Sequence, residues 1–146
     1  MRRIILSAIG ALLFSVVLHA QSPAAPASVS SPSKNIVVRL RVDNDGRPEY
    51  RIDRNQHALV EWSRLGFILA DAFKLERNFK ITATSRRSFD DTWEQPWGER
   101  RFVRNHGSEM RATLRDSDGR SLIVVFRVFD DGVGFRYEFP DQPQLR

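Results

Sequence analysis

Residues 122–139 read LIVVFRVFDDGVGFRYEF, and this stretch decides the fold class. Residues 122–129 are apolar on both alternating faces except at Arg127, which is typical of a central strand covered on both sides. The turn sequence at residues 130–132 follows. Apolar side chains at every second position of residues 133–139 then predict a second strand with one buried face.

The same two-residue period continues toward the N-terminus. Residues 36–42 alternate apolar and exposed positions, and residues 44–46 (Asn-Asp-Gly) tolerate positive φ, so a hairpin is expected there. Further strands are predicted at residues 50–52, 58–62, 67–69, 79–83 and 112–114. Residues 70–77 leave room for one helical turn. Many short strands separated by turn residues predict an all-β protein, an antiparallel β-sandwich.

Composition sets the class of protein. The chain has 146 residues, 41% of them hydrophobic and 28% charged, which suits about one folded domain. It has no cysteine, which excludes disulfides, thiolate metal sites and cysteine nucleophiles, and three histidines are too few for a His-rich metal centre. The net charge is +5, and the arginines alternate with acids instead of clustering, which argues against a nucleic-acid partner.

The N-terminus carries a targeting pattern. A basic start at residues 1–3, an apolar run over residues 4–18 and the small Ala20 predict a signal peptide over residues 1–20. The alternative is an uncleaved anchor, but the run is shorter than the roughly 20 apolar residues that span a bilayer. We therefore expect export to the periplasm or beyond, with no stable membrane insertion after cleavage.

The next segment is rich in proline, alanine and serine. Residues 21–34 contain three of the seven prolines, a composition that predicts a flexible linker. The folded domain is then expected at residues 35–146.

One segment suggests chemistry. Residues 89–99 read FDDTWEQPWGE, with two tryptophans and four carboxylates beside a proline and a glycine, which predicts a loop. Tryptophan faces suit the apolar face of a sugar ring, and carboxylates accept hydrogen bonds from hydroxyls or bind Ca²⁺. The alternative is that both tryptophans belong to the core and the acids are ordinary solvated residues. The candidate substrate-binding residues are Trp93, Trp97, Glu99, Asn105 and His106.

Four motifs in this order resemble the N-terminal domain of glycoside hydrolase family 97, the secreted α-glucosidases and α-galactosidases of Gram-negative bacteria. They are SRLGF at residues 63–67, DTWEQPWGE at 91–99, RNH at 104–106 and the hairpin at 126–140. The resemblance implies a galactose-mutarotase-like super-sandwich, here truncated, that precedes a catalytic (β/α)8 barrel and helps to close its sugar pocket.

The resemblance assigns no catalytic or metal residue to this chain. The family's catalytic carboxylates come from the barrel, and its Ca²⁺ is expected only for the full-length enzyme, so no cofactor is expected here. Asp90-Asp91-Thr92-Trp93 departs mildly from the family's usual Asp-Glu-Thr-Trp. Gly107-Ser108 stands where the family commonly has an aromatic residue and an asparagine.

The leading hypothesis is a non-catalytic, carbohydrate-associated module of a family 97-type glycosidase. Its partners would be α-glucoside or α-galactoside oligosaccharides and a C-terminal barrel absent from these 146 residues. The alternatives are a free-standing carbohydrate-binding domain that uses Trp93 and Trp97 as its platform, and a purely scaffolding domain.

Overall fold

A computed structural model describes residues 25–70 and 74–143, so the predicted signal peptide lies outside the described residues. Within these ranges the regular structure consists of ten β-strands. They are β1 (Ala27–Ser30), β2 (Ile36–Val42), β3 (Pro48–Arg54), β4 (His57–Arg64), β5 (Phe67–Ile68), β6 (Lys74–Leu75), β7 (Lys80–Glu94), β8 (Phe102–Arg115), β9 (Ser121–Val128) and β10 (Val133–Glu138). No helix long and apolar enough to cross a membrane occurs in this part of the chain.

Two four-stranded antiparallel sheets form a β-sandwich, as predicted. The first sheet has the order β1-β2-β3-β4 and the second β10-β9-β8-β7, so each follows the chain as a meander. β5 and β6 make a small two-stranded sheet. Connections between neighbours are short, because each hairpin needs only a turn to reverse the chain.

The core lies between the inner faces of the two sheets. On β2 the alternation anticipated from the sequence places Ile36, Val38 and Leu40 inward, with at most 3% of each exposed. The inner faces of β8 and β9 supply the opposing layer, whose fully buried members are Met110, Ala112, Leu114, Leu122, Val124, Phe126 and Val128. The two-residue period of the sequence therefore matches the alternation of buried and exposed side chains along these strands.

The β9–β10 hairpin confirms the strand pair predicted at residues 122–139. β9 lies between β8 and β10, and even its outward-facing Val125 is only 1% exposed. The arginines opposite Val125, Arg111 on β8 and Arg136 on β10, flank it along the outer face. Phe135 points inward, and its ring lies 5.6 Å from that of Tyr50.

The predicted flexible linker is wrong for its C-terminal part. Ala27–Ser30 forms β1, which pairs with β2 in the register Val29 opposite Val38. Val29 is 6% exposed and belongs to the core. Its burial gives an otherwise small and polar segment a reason to become ordered, and residues 21–24 lie outside the described residues.

Two local predictions also differ from the structure. Lys74–Leu75 forms β6 where a helical turn had been expected, with Leu75 fully buried; residues 71–73 lie outside the described part of the chain. On β4 the register shifts between Tyr50 and Ile52 of the neighbouring strand, so the alternation is broken. Trp62 consequently lies on the outer face, 4.0 Å beneath the guanidinium of Arg41, instead of in the core.

Hydrogen bonds join the two sheets at one end. In the β1–β2 turn, the backbone N–H of Ser33 donates to Asp130 Oδ1 at 2.8 Å, and Asn35 Nδ2 donates to the Asp130 carbonyl at 3.1 Å. Asp130 belongs to the β9–β10 turn. Hydrogen bonds from the Ser33 side chain, and then from its backbone N–H, lower the pKa of the Asp130 carboxyl, because they favour the ionised form.

Candidate functional site

The β7–β8 pair continues beyond the sandwich as a two-stranded ribbon. β9 pairs with β8 only as far as Ser108, whereas β7 follows β8 through six further residue pairs, from Phe89 opposite Gly107 to Glu94 opposite Phe102. We call residues 89–107 the ribbon. Its end is closed by a turn in which Gln95 N–H donates to the Arg101 carbonyl at 2.7 Å.

The predicted loop at residues 89–99 is therefore wrong for its first six residues, which are strand. The hydrophobic period is missing there because both faces of the ribbon meet solvent, so neither needs apolar side chains. Pro96 and Gly98 are confined to the turn, where Gly98 adopts φ 124°, a conformation open to glycine.

Ion pairs and amides hold the two ribbon strands together. Arg104 donates to both oxygens of Asp90, at 2.8 and 2.6 Å, and Arg101 Nε donates to Glu94 Oε1 at 2.7 Å. The Arg104 hydrogen bonds lower the pKa of Asp90, since they favour the carboxylate. These cross-strand contacts replace the hydrophobic packing that the ribbon lacks.

The five predicted site residues do not converge on one point. Trp93 is 49% exposed and shares one ribbon face with Asn105, whose Nδ2 donates to Asp91 Oδ1 at 2.8 Å. His106 lies on the opposite face, because neighbouring strand residues alternate. Trp97, 82% exposed, and Glu99 lie in the turn at the ribbon's end.

The exposure of Trp93 and Trp97 excludes the alternative that both belong to the core. Each presents apolar ring surface to solvent at the far end of a projecting element. Phe102, on the other face, is 60% exposed. Isolated apolar side chains on a surface are ordinary, but two exposed tryptophans near one tip are a candidate contact surface.

The base of the ribbon is tightly packed around Gly107. A Cβ at Gly107 would lie 2.7 Å from the Phe89 ring and 2.9 Å from the Val128 carbonyl oxygen. The Phe89 ring therefore occupies the space over Gly107, and it stacks edge-on against Phe129 at 5.7 Å. An aromatic side chain at position 107 would collide with this arrangement.

Next to Gly107, a buried carboxylate is bound by two arginines. Glu109 is 7% exposed; it accepts from Arg87 Nε at 2.7 Å and from Arg127 Nε at 2.8 Å. The hydrogen bond from Arg87 is the main cause that lowers the Glu109 pKa to about 2. Both guanidinium groups also approach the Phe89 ring, Arg127 at 5.2 Å. The cluster ties β7, β8 and β9 together at the root of the ribbon, and no sequence pattern indicated it.

No group of three or more metal-ligating side chains that could hold a metal ion occurs within residues 25–70 and 74–143. Asp90 and Glu94 are held by arginines and Asp91 by an amide. The arrangement is suited to presenting aromatic and amide surface to a ligand.

Comparison with known proteins identifies the family of the chain. The family model described as the glycosyl-hydrolase 97 N-terminal domain matches residues 29–146. The chain belongs to this family. The match begins at Val29 on β1, in agreement with the strand that the sequence patterns missed.

Curated relatives of the family 97 chain are large enzymes. This chain is 28% identical over 140 residues to a probable retaining alpha-galactosidase of Streptomyces bingchenggensis, and the alignment covers 94% of this chain and 22% of that protein. It is 26% identical over 110 residues to the retaining alpha-galactosidase of Bacteroides thetaiotaomicron, covering 75% of this chain and 16% of that protein. The chain thus spans about a fifth of the length of these relatives.

Solved structures agree with the family 97 assignment. A glycoside hydrolase family 97 enzyme from Pseudoalteromonas sp. strain K8, in complex with panose, aligns with a TM-score of 0.76 and 36% identity over 82% of this chain and 18% of that one. A beta-arabinopyranosidase aligns with a TM-score of 0.74 and 28% identity, over 80% of this chain and 18% of that one.

Proposed function

We propose that the chain is a non-catalytic module of an exported family 97-type α-glucosidase or α-galactosidase, and that its ribbon contacts the saccharide. The observation that carries this is the exposure of Trp93 and Trp97 at the end of the ribbon, 49% and 82% respectively. Aromatic rings can cover the apolar face of a sugar, and amides such as that of Asn105 can bind its hydroxyls.

The placement of the ribbon carboxylates supports a non-catalytic role. Glycoside hydrolysis uses two carboxyl groups on either side of the scissile bond. Asp90 and Glu94 are neutralised by arginines on the same ribbon, and Asp91 accepts from Asn105. Glu99 stands alone at the tip, so the ribbon offers no opposed pair. The catalytic carboxylates would come from a (β/α)8 barrel, with Ca²⁺ bound in the complete enzyme.

The related enzymes indicate the substrate class. The Pseudoalteromonas family 97 enzyme was crystallised with panose and with acarbose, and the two curated relatives are named as α-galactosidases. We therefore propose α-linked oligosaccharides as ligands. Export to the periplasm or the medium follows from the signal-peptide pattern of residues 1–20.

The test separates binding from catalysis. The purified chain is titrated with panose and with an α-galactoside trisaccharide, and tryptophan fluorescence is followed; we expect a saturable change. Trp93→Ala and Trp97→Ala should each weaken binding about tenfold, or roughly 1.4 kcal/mol. Phe102→Ala is the matched control, because it removes an aromatic ring of intermediate exposure, 60%, from the ribbon face opposite Trp93.

The same preparation is assayed on aryl α-glucosides and α-galactosides, where we expect no turnover. Robust hydrolysis would overturn the non-catalytic role. Equal losses in the Phe102 and Trp93 variants would overturn the assignment of the contact face. The absence of binding to either sugar would leave scaffolding as the function of the module.

A further inference from the structure

A groove lies on the outer face of the β1–β4 sheet, the face turned away from the β7–β10 sheet. This groove has a volume of about 710 Å³. It is lined by the β1–β2 turn, the β3–β4 turn and outward side chains of β2, β3 and β4. The lining residues used below are Lys34, Arg39, Asp53, Asn55, Gln56 and Trp62.

Trp62 forms the apolar wall of the groove. The register shift on β4 brings its indole to the outer face, where it remains half-buried. The Arg41 guanidinium lies 4.0 Å from the ring centroid, which is an attractive cation–π contact. Because the Trp62 ring is already half-buried, little side-chain entropy is lost when a ligand packs against it.

The floor is a network of paired charges. Asp53 is 5% exposed, and its two oxygens accept from Arg39 and from Arg51, the latter at 2.8 Å. Arg51 also donates to Glu61 Oε2 at 2.9 Å, so these two arginines and two carboxylates balance, and Lys34 supplies the net positive charge of the groove. Arg39 is 40% exposed and uses a single donor on Asp53, so most of its five N–H groups face other directions.

Three polar side chains at the rim have no partner among the described residues. They are the ammonium of Lys34 and the amides of Asn55 and Gln56. All three residues adopt the left-handed conformation, with φ of 62°, 49° and 69°. Asn55 N–H donates to the Asn35 carbonyl at 2.8 Å, which joins the two turns that carry them.

Gln56 is the least expected of these residues. A two-residue hairpin turn with both φ values positive favours glycine at its second position, because a Cβ is strained there. This turn places the exposed amide of Gln56 at the rim of the groove, where a ligand can reach it.

We propose that this groove binds a saccharide that carries a carboxylate. The Trp62 ring would cover the apolar face of the sugar, the amides of Asn55 and Gln56 would bind its hydroxyls, and Lys34 with Arg39 would pair with the acid group. The proposal does not depend on the ribbon, because the two surfaces belong to different sheets.

The experiment uses Trp62 as its own reporter. The double variant Trp93→Phe/Trp97→Phe leaves Trp62 as the one remaining tryptophan of the three. Its fluorescence is followed on titration with trigalacturonate and, in parallel, with the neutral galactose trisaccharide, acetate and inorganic phosphate. We expect saturable binding of trigalacturonate, at least tenfold tighter than that of the neutral sugar, which weakens as ionic strength rises.

Two further substitutions in this background test the assigned groups. Lys34→Gln removes one exposed charge and should weaken binding about threefold. Gln56→Gly relieves the backbone strain, so it should leave the protein at least as stable in urea while weakening binding. A Gln56→Gly variant that binds unchanged would contradict the assignment of the amide.

Every outcome of the titrations bears on the proposal. Equal binding of the neutral and acidic trisaccharides would refute the role of the charges. Equal binding of phosphate or acetate would reduce the groove to a general anion site and overturn the saccharide. No change in Trp62 fluorescence with any ligand would overturn the site itself, and none of these results would alter the ribbon test.

Discussion

Replacing Glu109 by glutamine tests what fixes the root of the ribbon. The carboxylate is buried, and each oxygen accepts one hydrogen bond, from Arg87 Nε at 2.7 Å and from Arg127 Nε at 2.8 Å. Glutamine keeps the shape but removes the charge and one of the two acceptors. One guanidinium group then loses its partner.

The magnitude follows from the pKa. In the folded protein the Glu109 pKa falls from 4.5 to about 2, which corresponds to roughly 3 kcal/mol without screening. The Arg87 side chain is 59% exposed and Arg127 38%, so water screens part of this energy. We expect Glu109→Gln to lower the free energy of unfolding by about 2 kcal/mol near neutral pH.

The sign of the pH dependence is fixed by the direction of the shift. A carboxyl whose pKa is lower in the folded state stabilises the protein above its unfolded pKa, here 4.5, and this contribution is lost as the pH falls toward 2. The difference between wild type and Glu109→Gln should therefore be full above about pH 5 and shrink steadily below it.

The assay is urea unfolding followed by circular dichroism, at several pH values between about 3 and 7, with both proteins measured side by side. Glu94→Gln is the matched control: its carboxylate also accepts from an arginine, Arg101 at 2.7 Å, but its side chain is 53% exposed. The control should lose at most about 0.5 kcal/mol. A Glu109→Gln loss no larger than that of the control, or one that does not change with pH, would refute the reasoning.

Three further substitutions test other parts of the structure. Gly107→Ala should destabilise the protein by about 2 kcal/mol in urea, because its Cβ would lie 2.7 Å from the Phe89 ring; a neutral result would mean that the ring moves freely. Met110→Ala should cost about 3 kcal/mol in the same assay, since the side chain is fully buried between the sheets, and a loss below about 1 kcal/mol would contradict that packing. Asp90→Asn should speed amide hydrogen exchange severalfold in the ribbon but not in β9, because it removes the charge that binds Arg104; uniform or absent acceleration would show that the ion pair does not order the ribbon.

Much of the fold could be predicted because burial imposes a visible period on the sequence. Residues 36–42 have one side against the core, so their apolar side chains recur at every second position, whereas residues 122–129 belong to a central strand and are apolar on both faces except at Arg127. The turns at residues 44–46 and 130–132 were visible because their residue types tolerate tight backbone geometry.

The remaining features of the fold do not produce a clear hydrophobic pattern in the sequence. β1 contributes one buried side chain, Val29, and its pairing with β2 is decided by a distant partner. The ribbon is exposed on both faces, so it lacks a hydrophobic period altogether. The outward position of Trp62 depends on a register shift that local sequence does not encode.

The arrangement of the candidate site residues could not be predicted from the sequence. Trp93 and Trp97 are exposed, in accord with a role at the surface. Residues 89–94 were predicted as a loop, so their pairing with β8 was not anticipated. This pairing makes residues 102–107 a strand and places Asn105 and His106 on opposite faces of the ribbon. The Glu109 cluster and the Trp62 groove depend on neighbours from three strands, which only the folded chain brings together.

The hydrogen bonds of Ser33 and Asn35 to Asp130 have a consequence for biogenesis. They join positions 97 and 95 residues apart, and the inner face around Val38 is covered by β8 and β9. While a ribosome makes this chain, its first four strands emerge long before those that cover them. During that interval the nascent polypeptide exposes aliphatic surface that a chaperone would shield, and closure of the sandwich awaits synthesis of its last strands.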